Sequence, residues 1–142
     1  MSVFLVPVDG SDFSSRAIDY VISRIKDNPG KPVVHVLNVQ MPVVGVNIKL
    51  LVSAESLEAM YREEGEKILK PSLERLQAAG ISAAPHIGVG DASQVIIEFS
   101  ETLKATEIVM GSHGRGALAG ALMGSVAQKV VHLSKIPIVL LK

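Results

Sequence analysis

The chain has no cysteine in its 142 residues. That excludes a disulfide framework and a thiolate metal site, and it makes the cytoplasm the natural compartment. No apolar run approaches the roughly 18–20 residues that a membrane-crossing helix needs. The opening residues, MSVFLVPVDGSD, lack the basic segment and small-residue cleavage site of a signal peptide. Net charge is also missing, because 14 basic residues balance 14 acidic ones. A general nucleic-acid-binding face is therefore not expected. The last absence is local. No Asp or Glu follows Glu107, while Arg115, Lys129, Lys135 and Lys142 all lie beyond it. A segment of one sign beside a glycine-rich loop suits a small anion better than a long polyanion.

With 48% apolar and 20% charged residues, the composition is that of a globular domain. The length suits one domain, residues 1–142. Apolar, β-branched runs at Val3–Val8, Val33–Val39, Glu107–Met110 and Ile136–Leu141 read as strands. Ile81–Gly90 is a weaker strand, expected at a sheet edge because Pro85 interrupts it. Between the strands, apolar residues recur at helical spacing. Phe13, Ala17, Ile18, Val21, Ile22 and Ile25 form one stripe, with Ser11 or Asp12 as its cap. Leu57, Met60, Tyr61, Ile68, Leu69, Leu73 and Leu76 mark a long helix over Ala54–Ala79, which Pro71 should kink or split near Lys70. Asp91 can cap a helix carrying Val95, Ile96, Phe99 and Leu103, and a last helix is expected at about Ser125–Ser134. The stretch Gln40–Ser53 takes no clear assignment. Alternation of this kind predicts an α/β domain: a five-stranded, mainly parallel, open twisted sheet with helices on both faces. The near-continuous apolar strands agree with a sheet covered on both sides.

In such a sheet ligands gather at the carboxyl ends of strands near a topological switch point. The candidate turns are VDGS after the first strand, NVQMP after the second and MGSHG after the fourth. The last opens MGSHGRGALAGALMGS, residues 110–125, which carries five glycines and no acid. Gly111 and Gly114 allow positive φ and close backbone approach, while Gly124–Ser125 opens a helix whose N-terminal amides favour phosphate. A tight loop without a ligand is the competing explanation. GRGALA fits a dinucleotide G-x-G-x-x-A formally, but that fingerprint needs an acid about 20 residues on, and none follows. The P-loop lysine is absent as well.

The spacing that does fit is G-x2-G-x9-G-S, made by Gly111, Gly114, Gly124 and Ser125. Together with PVDGS near the start, HVLNV, and the ending GSVAQKVVHLSKIPIVLLK, it resembles the universal stress protein family in its ATP-binding branch. The resemblance covers essentially the whole chain. It implies an adenine-nucleotide α-hydrolase-like fold and a nucleotide pocket. Pro7 and Asp9 would line the nucleoside, and the backbone of Val36 would meet adenine. Met110 and Gly111 would sit beside the ribose and phosphates, and Gly114, Gly124, Ser125 and Val126 would complete the phosphate side. The ligand would be ATP, AMP or ADP, with any Mg²⁺ held mainly by the phosphates. The resemblance further implies a homodimer joined through the last strand, Pro137–Leu141. Thr106–Glu107, where an Asp-containing pair is more usual, leaves open what anchors the start of the fourth strand.

Asp9 can hold a ribose hydroxyl or the adenine amino group, or it can simply close the turn before the first helix. His35, His86, His113 and His132 lie on different elements without metal-ligand spacing. His113 and Arg115 are each open between phosphate contact and simple exposure. No base is placed beside Ser11, Ser14 or Ser15 to make a nucleophile. The functional expectation is a nucleotide-binding regulatory module of the stress response that hydrolyses ATP slowly or not at all. An ATPase or nucleotidyl-transfer enzyme, and a nucleotide-independent dimeric interaction module, are the alternatives.

Overall fold

The computed structural model describes residues 1–43, 52–115 and 122–142. Among these, strands and helices alternate as β1 (Val3–Pro7), α1 (Asp12–Asp27), β2 (Val33–Gln40), α2 (Ala54–Ala78), β3 (Ala83–Val89), α3 (Ala92–Thr102), β4 (Glu107–Gly111), α4 (Ser125–Leu133) and β5 (Ile138–Leu141). The strands form one sheet in the order β3-β2-β1-β4-β5, and every pair is parallel. The chain moves outward from β1 to β3, then returns to the other side of β1. The switch point therefore falls between β1 and β4.

Alternation along the strands divides the core in two. Phe4, Val6 and Val8 point to one face, where they meet Ala17, Ile18 and Val21 of α1 and Leu69 and Leu76 of α2. Leu5, Leu37, Ile108 and Met110 point to the other, against Ile96 of α3 and Ala127 and Val130 of α4. This is a three-layer α/β domain with helices on both faces.

The helices begin where short polar side chains can cap them. The Ser11 hydroxyl accepts from Ser14 N–H before α1, the Ser53 hydroxyl from Ser56 N–H before α2, and the Asp91 carboxylate from Gln94 N–H before α3. Helix α2 runs unbroken through Pro71, against the expectation of a split. Pro71 lies on the solvent side, so the carbonyl that loses its donor can bond water, and buried Leu69, Ser72 and Leu76 hold both halves on the sheet. The sequence stripe on α2 is also displaced. Gly65, Leu69, Ser72 and Leu76 are buried, whereas Met60 is exposed. A Cβ on Gly65 would stand 2.7 Å from Ile87 Cδ1, so the helix lies directly on β3 there. The edge position expected for β3 holds, with exposed Pro85 on it, and β5 is the other outer strand. The part of the stretch from Gln40 to Ser53 that resisted assignment lies largely outside the described residues.

The start of β4 is fixed by an ion pair. Arg24 of α1 donates to both carboxylate oxygens of Glu107 at 3.0 and 3.3 Å, and its guanidinium lies 5.5 Å from the centre of the Phe4 ring. Part of this pair is solvated, which limits its worth. Glu107→Ala is expected to cost about 1 kcal/mol and to lower the urea midpoint without changing the slope. Adding Arg24→Ala to that variant should cost little more. An unchanged midpoint in Glu107→Ala would remove the pair from the forces that hold β4.

Candidate functional site

At the carboxyl ends of the strands, over the switch point, lies a cavity of about 550 Å³. That is within the roughly 300–1,000 Å³ usual for small-molecule sites. The strand ends supply its base: Pro7, Val8 and Asp9 after β1, Leu37 and Val39 from β2, and Met110 and Gly111 from β4. Ala92 and Ile96 of α3 close one side. His113, Gly114 and Arg115 form another, and Met123 to Gln128 bring in the start of α4. Leu37, Val39, Ile96 and Met110 give part of the wall an apolar lining, and the start of α4 adds main chain. Gly124 is the N-cap of α4 with no side-chain cap bond, and the first turn carries no acid. Its amides and the positive end of its dipole therefore favour an anion. Asp9 is the single acid among the described lining residues.

The glycines in this lining are needed for contact rather than for unusual dihedrals. Positive φ occurs at Gly10, Gly80 and Gly90, not at Gly111, Gly114 or Gly124. Gly124 has an ordinary φ of −72°. A Cβ on Gly111 would fall 2.5 Å from Phe13 Cβ, one on Gly114 2.5 Å from Asp9 Oδ2, and one on Gly124 3.2 Å from Ser112 O and His113 Cα. Of the positive φ and close approach expected at Gly111 and Gly114, the structure shows the close approach and not the positive φ. Both ends of the excursion after β4 meet on Ser112. Its N–H donates to Leu141 O at 2.8 Å, and its carbonyl accepts Gly124 N–H at 2.6 Å. The intervening residues 116–121 lie outside the described residues.

Asp9 is held from three directions. Oδ1 accepts Ser11 N–H at 2.9 Å and the Ser14 hydroxyl at 2.8 Å, while Oδ2 accepts Arg115 N–H at 3.0 Å. Burial pushes this carboxyl up, but the bonds from Ser11, Ser14 and Arg115 outweigh it and hold the pKa below the ordinary value of 3.8. The Arg115 guanidinium crosses Gly10, where a Cβ would be 2.5 Å from Nη2, and φ there is +84°. His113 stands in the wall with its ring 5.2 Å from Phe13 and its Nδ1 2.9 Å from the Ser112 hydroxyl.

Comparison with known proteins fits this geometry. The model of the universal stress protein family matches residues 1–142. The chain belongs to the universal stress protein family. It is 31% identical to universal stress protein MJ0531 of Methanocaldococcus jannaschii over 97% of this chain and 80% of the relative. It is 25% identical to universal stress protein YxiE of Bacillus subtilis, over 97% of both chains. Among solved structures, MJ0577 of Methanocaldococcus jannaschii superposes with a TM-score of 0.84 at 25% identity, covering 99% of this chain and 95% of that one.

This universal stress protein brings Pro7, Asp9, Met110, Gly111, Gly114, Gly124, Ser125 and Val126 to one cavity. The side chain of Val36 is elsewhere, fully buried in the α1–α2 core, with its backbone between Val6 and Pro85. Its neighbour Leu37, paired with Pro7, and Val39 form the β2 part of the wall. Sequence reasoning missed these two, and also Ala92 and Ile96. Only the register of β2 on β1 shows which alternate residues share a face with Pro7. His35 and His86, on different strands as expected, meet on the cavity's face of the sheet, Nδ1 to Nε2 at 2.9 Å, beside Phe99. Among the described residues there is no cluster of three or more metal-ligating side chains. No helix among them is long and apolar enough to cross a membrane.

Burial lowers both imidazoles from their ordinary 6.5, and the neighbouring His35 lowers His86 further. The unfolded chain therefore takes up these protons first. The stability contributed is present above about pH 6.5 and is lost as pH falls from there toward the lower folded values. His86→Gln, which cannot titrate, should make the urea midpoint fall less steeply between pH 7 and 5. An equal slope in both proteins would show that the pair does not govern acid sensitivity.

Proposed function

We propose that the cavity binds an adenine nucleotide, ATP or the smaller AMP and ADP, and that the protein is a regulatory module of the stress response. The observation that carries this reading is the uncapped N-terminus of α4, free of acid in its first turn, opening onto a cavity that Leu37, Val39, Ile96 and Met110 also line. A flat base suits the apolar lining and an anion suits the helix start. Universal stress proteins with the same fold have been solved with AMP (Arabidopsis thaliana, 19% identical, TM-score 0.70), dAMP (Archaeoglobus fulgidus, 20%, 0.66) and cAMP (23%, 0.69). Those likenesses support the fold, and the local chemistry supports the ligand.

In this reading Pro7, Leu37, Val39 and Met110 surround the base and ribose. Gly111, Gly114, Gly124, Ser125 and Val126 receive the phosphates through main-chain amides and the Ser125 hydroxyl. With Asp9 the single acid in the described wall, any Mg²⁺ is carried chiefly by the phosphates. Amides and a helix end stabilise the bound phosphate without singling out a transition state, and the sequence has no P-loop lysine. The nucleotide is therefore held rather than rapidly hydrolysed. A cysteine-free chain suits the cytoplasm. Strand β5 (Ile138–Leu141) leaves one side of the sheet unpaired, and pairing of that edge with a second copy would cover it.

Three experiments test these statements. Mass spectrometry of the small molecule released from purified protein should find an adenine nucleotide. Gly124→Val, which drives a branched side chain into Ser112 O and His113 Cα, should weaken ATP binding on the order of tenfold or more while leaving the circular dichroism spectrum intact. Unchanged affinity in that folded variant would refute the phosphate role. For the edge, sedimentation should show a homodimer at micromolar concentration that Val139→Lys converts to monomer. A monomeric wild type would refute the assembly.

A further inference from the structure

Two imidazoles share one hydrogen bond on the sheet, away from the glycines. His35 Nδ1 of β2 and His86 Nε2 of β3 stand 2.9 Å apart, and both rings are half-buried. The His86 ring meets the Phe99 ring of α3 edge to face, with centres 5.6 Å apart. This contact continues along the helix. A Cβ on Gly88 would fall 2.5 Å from Val95 Cγ1 and 3.2 Å from Phe99 Cε2, so α3 rests directly on β3. Gly90 and Asp91 alone separate the strand from the helix, and Gly90 N–H donates to Gln40 O of β2 at 3.0 Å. The same helix brings Ala92 and Ile96 to the cavity. Strand β3 is an outer strand whose one strand neighbour is β2. It can shift without moving β1, β4 or β5.

We propose that the His35–His86 pair is a proton switch on the ligand cavity: a second proton parts the two rings, loosens β3 and α3 from β2, and withdraws Ala92 and Ile96 from the ligand. The proposal rests on the adenine-nucleotide reading above and adds its regulation. One donor and one acceptor make the bond, and a single imidazolium still donates to a neutral partner. With two protons both facing nitrogens are donors and both rings are charged, so the contact becomes repulsive. Nothing described offsets that charge. β1, β2 and β3 hold no other titratable side chain, and α2 covers the opposite face of β3 at Gly65 and Ile87. α3 carries Glu98 and Glu101, with Lys104 just after it, and all three are exposed. Burial lowers both imidazoles, and His35 lowers His86 further, with no contribution from those three charges. The parted rings therefore take up more protons than the bonded pair. Acid favours parting below the ordinary histidine value of about 6.5, by up to about tenfold per pH unit for each extra proton. A ligand seated against Ala92 and Ile96 favours the bonded form, and by linkage it expels those protons.

The test compares wild type with His86→Gln and His35→Gln. Each variant keeps a donor and an acceptor at the pair but removes one titrating ring, and either one that folds is sufficient. The probe is ATP, whose phosphates titrate alike with all three proteins, as does His113. Between about pH 7.5 and 5.5, wild type should lose about tenfold more ATP affinity than the variants, within the range usual for coupling between sites. An equal fall in wild type and variant would overturn the proposal. Hydrogen exchange provides a readout without ligand. At the acid pH, Gly90 N–H should exchange faster in wild type than in the variants, because only wild type can hold two facing protons. Equal rates would overturn the switch whether or not ATP binds. A wild type that binds ATP at neither pH would defeat the nucleotide reading instead, and the exchange comparison would then decide the switch alone.

Discussion

Two adjacent parallel strands whose chains leave in opposite directions set up everything at this site. After β1 the backbone turns to α1 on one face of the sheet, and after β4 it travels to α4 on the other. The gap between these departures cannot be filled by either connection. A cavity follows from topology, and the identity of the lining then decides what it accepts. Here β2 and α3 add aliphatic side chains, while the described part of the excursion after β4 adds main chain together with His113, Arg115 and Met123.

The main-chain side is workable because three glycines permit three close contacts. Gly111 lets the end of β4 lie against Phe13, Gly114 admits the Asp9 carboxylate, and Gly124 lets the beginning of α4 close on Ser112. These contacts bring the β1 turn, the loop stem and the helix start into one unit built from backbone. A pocket so constructed presents N–H groups without the entropy of long side chains. Among the described lining residues Asp9 is the single acid, and there is no lysine.

Much of this was legible in the residue order. Continuous apolar runs such as Val3–Val8 and Ile136–Leu141 could only belong to a sheet covered on both faces, and their alternation with helical stripes implied the parallel order. Glycine spacing pointed to the loop stem and helix start that line the cavity. Three things could not be read. Which of Val36 and Leu37 faces the cavity depends on a register that one strand does not contain. Whether Gly111, Gly114 and Gly124 serve dihedral freedom or proximity depends on atoms from Phe13, Asp9 and Ser112 that are distant in sequence. The pairing of His35 with His86, and of Arg24 with Glu107, likewise joins residues that share no local pattern. The split expected at Pro71 is absent for a related reason: its cost depends on which side of α2 faces water.

Helix α2 holds a different kind of interest. It is the longest element described, yet none of its residues contributes to the cavity. Small and aliphatic side chains, Gly65, Leu69 and Leu76 among them, seat it on the sheet, and Arg75 pairs with Asp19 of α1 at 3.1 Å. Selection for ligand recognition therefore has no direct grip on its outer surface. In descendants of a common ancestor that surface is where length, charge and even an internal proline can drift while the opposite rim of the domain keeps its chemistry.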